Sequence, residues 1–121
     1  MGFFEELEAL GVDVEEGLDR VMGDADLYKM MLGIFVDTVH EDPLRMADFS
    51  GENGFEQLEH QVHTLKGTAG NLSISRLFEG YTEALGHLRN GKHAEAKAVL
   101  EKLLPEQEKI IACIERHRDE C

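Results

Sequence analysis

Between Leu58 and Leu72 the apolar residues Leu58, Val62, Leu65, Ala69 and Leu72 recur in steps of four, three, four and three. Such steps keep every member on one face of an α-helix, whereas a pleated strand changes face at each residue. The same spacing governs most of the chain. It appears in Leu27, Met31, Ile34, Phe35, Thr38 and Val39, with Tyr28, Met30, Leu32 and Val36 widening the apolar face. It returns in Ile74, Leu77, Phe78, Tyr81, Leu85 and Leu88, and in Val99, Leu100, Leu103, Ile110, Ile111 and Ile114. No segment alternates with a period of two, and only two prolines interrupt the pattern.

Start and stop signals divide these stripes into helices. Phe3 to Leu10 reads as a short amphipathic helix closed by Gly11. Asp13 with Glu16 forms a capping-box pair that opens a second short helix running to about Met22, with Gly23 at its C′ position. Asp24 caps the next helix, which spans Leu27 to Phe49 and is kinked or interrupted by Pro43. Residues 50–54 form a turn, and Asn53 with Glu56 gives a further capping box. The helix that follows stops near Asn71-Leu72, Ser73 caps its successor, and Asn90-Gly91 closes that one. A last helix extends from Ala94 to about Arg118, with Pro105 as a kink. Long helices joined by short turns pack as antiparallel neighbours. The expected fold is all-α, an antiparallel up-down-up-down four-helix bundle after one or two short N-terminal helices, in a single domain over residues 1–121.

Composition narrows the function. Twenty-five acids against 12 bases give a formal charge of −13, which repels nucleic acid and anionic membranes and favours basic or neutral docking faces. No apolar run is long enough to span a bilayer, and Met-Gly-Phe-Phe-Glu-Glu lacks the basic and apolar regions of a signal peptide. A cytoplasmic protein is the expectation. Cys113 and Cys121 would lie about 12 Å apart on one helix, beyond disulfide reach, and read as a core residue and a tail thiol.

Against this background one stripe stands out. His63, Lys66, Gly67 and Gly70 occur at i, i+3, i+4 and i+7, so they share a face about 100° round from the apolar one. Each interior glycine costs about 1 kcal/mol relative to alanine, so two of them point to close approach of another body. A neutral imidazole offers a nitrogen lone pair for attack on phosphorus, and free imidazoles are partly neutral near pH 7. Phosphoryl transfer demands alignment and charge stabilisation above all, which a lysine one turn away can supply. A side chain at Gly67 would crowd the in-line path. Glu59, four residues before His63, is a candidate acceptor for the Nδ1 proton.

The run from His63 to Leu72, His-Thr-Leu-Lys-Gly-Thr-Ala-Gly-Asn-Leu, resembles the signature of histidine-containing phosphotransfer (HPt) domains. Gly11-Val12-Asp13-Val14-Glu15-Glu16-Gly17-Leu18, then Gly23-Asp24 and Leu27-Tyr28, are similar to the lead-in of that family, as are Phe55, Glu56 and Leu58 before the histidine. The similarity covers roughly residues 11–90. One departure is Ser73-Ile74, where the family often carries a Gly-Ala pair. The resemblance implies a phosphorelay intermediate without kinase activity, passing a phosphoryl group between receiver-domain aspartates. It implies His63 as phospho-acceptor through Nε2, Lys66 as its cation, and Gly67 and Gly70 as the gaps that admit the partner. Mg²⁺ would belong to the receiver, so no metal or cofactor of the chain's own is expected, and the chain would act as a monomer.

Two other readings fit parts of the pattern. His60 and His63 form an i, i+3 pair, but di-iron bundles use Glu-x-x-His motifs, and residue 57 is glutamine. A non-catalytic helical adaptor that holds a receiver is the main alternative. The Met and Phe residues between Met30 and Phe35 are expected in the core, some of them bordering the acceptor as an apolar docking rim.

Overall fold

A computed structural model describes residues 2–44 and 54–119. These form six helices: α1 (Phe3–Ala9), α2 (Val14–Arg20), α3 (Ala25–Glu41), α4 (Gly54–Asn71), α5 (Ser75–Arg89) and α6 (His93–Asp119). The protein is an all-α bundle. Three-residue connections join α4 to α5 and α5 to α6, and each pair packs along its length. α3 lies against α6, and α1 crosses onto α6 as well.

The expected stripes form the core. Leu58, Val62, Leu65, Ala69 and Leu72 of α4 are all buried, as are Leu77, Tyr81, Leu85 and Leu88 of α5. Leu100, Leu103, Ile110, Ile111 and Ile114 close the core from α6, with Cys113 also buried. Buried polar groups are paired across helices: the Tyr81 hydroxyl donates to Gln107 Oε1, joining α5 to α6. α1 is pinned to α6 by the Glu6–Arg116 ion pair at 3.2 Å and by Phe3 stacked on His117.

Several helix ends differ from expectation. Asp13 and Asp24 do cap α2 and α3, accepting from the Glu16 and Leu27 amides at 3.1 and 3.0 Å. The Glu16 carboxylate does not return to complete the capping box, because the Asp13 amide donates to Ser73 O at 2.8 Å. The C′ residue of α2 is Met22 (φ 57°), not Gly23, and the Gly23 amide donates to Leu18 O to complete a Schellman turn. Ser73 likewise does not cap α5. It is the C′ residue of α4, at φ 57°, with its amide donating to Gly70 O and the Ile74 amide to Ala69 O. The left-handed turn made by Gly11 and Gly91 is thus made here by residues that bear side chains.

Proline behaves oppositely at its two sites. Pro43 follows the end of α3, so that helix stops at Glu41, before the proline. Residues 45–53, including the expected capping residue Asn53, lie outside the described residues, as does Cys121. Pro105 sits inside α6, whose helical assignment runs on through it.

The corner between α2, α3 and α4 fixes the end of the His63 helix. The buried Tyr28 hydroxyl donates to Leu72 O at 2.7 Å. Gly17 makes room for it, since a Cβ there would stand 2.6 Å from the Tyr28 ring and hydroxyl. Burial, with the Asp13 charge adding to it, pushes the Tyr28 phenol up to about 12. Because the folded value exceeds the ordinary one of 10.0, this bond's contribution is complete below pH 10 and fades as pH rises towards 12. Tyr28→Phe is expected to lower unfolding free energy by about 1–2 kcal/mol in neutral denaturant titrations. The difference between parent and variant should shrink above pH 10.

Candidate functional site

α4 buries its apolar stripe and turns the opposite side outward. His63 and Gly67 are exposed, while Lys66 and Gly70 are partly exposed on the same helix. Helical geometry puts Lys66 and Gly67 one turn from His63, and Gly70 two turns away. The side chains of His63 and Lys66 make no hydrogen bond or ion pair with any of the described residues.

The two glycines are not equivalent. A Cβ at Gly67 would meet nothing within 4 Å, so the surface beside His63 and Lys66 is open. A Cβ at Gly70 would lie 3.1 Å from Phe78 Cε2 and 3.2 Å from its Cδ2. Gly70 therefore gives room to a ring of the chain's own α5 on one side while remaining partly exposed. Phe78 itself is 38 % exposed, so the ring also extends the surface beyond Gly70.

Glu59 is directed elsewhere. Its Oε1 accepts from Arg89 Nε at 3.3 Å, bridging α4 to α5, and no hydrogen bond joins it to His63. The expected Glu59 contact to the imidazole is not formed in this structure.

Two residues near the stripe were not singled out in the sequence. Gln61 is 6 % exposed and donates through Nε2 to Asp42 Oδ1 at 2.8 Å and to Pro43 O at 2.9 Å. It ties the end of α3 to the turn of α4 that precedes His63. Its signal was its place on the helical wheel between Leu58 and Leu65, on the buried side. Phe78 had no such signal, because its spacing fits the apolar stripe of α5 as well as Leu77 does.

Apolar residues are exposed on α3 too. Met30 and Ile34 are 57 % and 53 % exposed and Leu27 37 %, whereas Leu32 and Phe35 are buried. The mixed spacing of that helix thus divides into a core face and an exposed apolar stripe. Among the described residues, no helix is long and apolar enough to cross a membrane.

The family model of the Hpt domain matches residues 30–120, from the first half of α3 through α6. This differs from the 11–90 span of the sequence resemblance: it starts after α2 and takes in the last helix. Comparisons with curated proteins and with solved structures returned no match. The matched stretch includes the whole of α4 and far exceeds half of the chain. Together with the helical bundle, it shows that the chain belongs to the Hpt domain family, whose members are receiver-interacting phosphotransfer intermediates of two-component signalling and not kinases.

Proposed function

We propose that the chain carries a phosphoryl group on His63 and relays it from one receiver-domain aspartate to another. The observation that carries this reading is an exposed imidazole with Lys66 and an unobstructed Gly67 one turn away. In the forward step the Nε2 lone pair attacks the phosphorus of an aspartyl phosphate. The N–P bond forms as the P–O bond to the aspartate breaks, and the carboxylate leaves with the bonding pair. A second receiver's carboxylate then reverses the step.

Each neighbour has a part in this. Nδ1 keeps its proton while Nε2 reacts, and in the free chain that proton faces solvent. Lys66 Nζ, on a flexible stem, follows the phosphoryl oxygens as charge spreads over them. Gly67 leaves the in-line path clear for the receiver's loops, which bring the aspartate and its Mg²⁺. Leu27, Met30 and Ile34 form an exposed i, i+3, i+7 stripe on α3 that serves as an apolar docking rim. The chain works as a monomer, since the receiver occupies the face that carries the acceptor.

Incubation with a phosphorylated receiver should label the parent with acid-labile phosphate and leave His63→Gln unlabelled. Equal labelling of the two would contradict the assignment. Lys66→Ala should slow transfer about tenfold, or roughly 1.4 kcal/mol of barrier, with the melting temperature unchanged. Gly67→Ala is expected to raise stability by about 1 kcal/mol, because α4 gains a better helix former in open space. Gly67→Leu should keep that stability yet weaken receiver binding about tenfold by titration, a loss no folding defect would explain.

A further inference from the structure

The stripe that carries His63 opens at Gly70 into a groove of about 240 Å³ between α2, the end of α4 and the start of α5. Gly70, Phe78, Glu16, Arg20, Ser75 and Glu79 line it. Its charges are unequally engaged. Glu16 Oε1 accepts from Ser73 Oγ at 2.9 Å and from Arg20 Nη2 at 3.4 Å. Glu79, in contrast, is exposed, and its carboxylate makes no hydrogen bond or ion pair with the described residues. The groove therefore combines a 38 % exposed aromatic ring with a carboxylate open to a partner.

Its position separates it from the chemistry. Gly70 is seven residues, about 10 Å of helix, beyond His63, too far for a groove side chain to touch a phosphoryl group on the imidazole. A docked domain nevertheless covers about 800 Å² of each partner, a patch roughly 30 Å across, so a receiver seated on His63 reaches the groove. A docking face on a chain of formal charge −13 is complementary to a basic partner.

The geometry points to this groove as the subsite that selects among receivers. It takes an apolar side chain of the receiver against Phe78 and Gly70, with a neighbouring Lys or Arg paired to Glu79. Continuity with the acceptor stripe through Gly70 and the open Glu79 carboxylate carry the assignment. It rests on the phospho-acceptor reading of His63 and adds the chemistry by which partners are told apart. Arg20, already directed at Glu16, repels a receiver that presents a second base to the α2 wall.

The test compares the full chain with Glu79→Gln and Glu79→Lys, using the phosphorylated receiver domains of the same source as probes. Phosphoramidate serves as a second donor that needs no docking: ammonia leaves as the N–P bond to the imidazole forms. For the receiver that serves the parent best, Glu79→Lys should raise KM about tenfold with kcat unchanged, and Glu79→Gln by less. The effect should shrink as salt rises from about 50 mM to about 500 mM, because screening weakens an exposed charge pair. Phosphoramidate labelling should be the same in all three proteins. Receiver KM values within about twofold of the parent, a change that ignores salt, or reduced phosphoramidate labelling would each overturn the groove assignment. Those results would leave His63 as acceptor, whereas a parent labelled by no receiver would remove both readings.

Discussion

The C-terminal turn of α4 is the constraint on which the site depends. A helix end leaves its last carbonyls without intrahelical partners, and in a bundle corner water cannot serve them all. Here the Ile74 and Ser73 amides serve Ala69 O and Gly70 O, the Tyr28 hydroxyl serves Leu72 O, and the Asp13 amide serves Ser73 O. Partners from α2 and α3 thus meet at one turn of α4. Gln61 makes a second tie near the middle of that helix, to Asp42 and Pro43. With both stretches held and the stripe from Leu58 to Leu72 buried, the rotation of α4 about its axis is set. His63 faces outward as a consequence.

This arrangement lets stability and chemistry use different sides of one helix. The buried side of α4 carries only apolar contacts and the Gln61 tie, while the exposed side tolerates glycines that a helix would otherwise avoid. Gly67 in particular contributes nothing to packing, since open space surrounds it. A position that costs helix stability and touches nothing makes sense when another molecule must come close to the backbone. Gly70 is different in kind: Phe78 of the chain itself takes up part of its space, and the two line the groove at the far end of the stripe.

The all-α character and the burial of the main stripes were legible in the sequence because periodicity reports directly on which side of a helix is apolar. The outward stripe was legible for the same reason. What escaped were features decided by tertiary contact. Ser73 looked like a helix cap because serine suits that role, yet the corner requires a left-handed residue there, and its hydroxyl is turned to Glu16. Met22 took the position expected of Gly23 because helix α2 ends one residue earlier than its glycine suggested. Glu59 stood four residues from His63, but an opposite charge across the α4–α5 interface engages it instead. Phe78 fitted the core pattern of α5 and still reached the surface, since Gly70 offers a shelf that no spacing rule reveals.

The central claim is that one imidazole, His63, receives the phosphoryl group at Nε2. Its most direct measurement is nitrogen–phosphorus coupling by nuclear magnetic resonance, on protein carrying ¹⁵N-labelled histidine and charged by a phosphorylated receiver. The account predicts a single phosphoramidate signal coupled to Nε2 of His63, with the other imidazoles unaltered. Coupling to His60 one turn earlier, to Nδ1, or to no histidine nitrogen would contradict it.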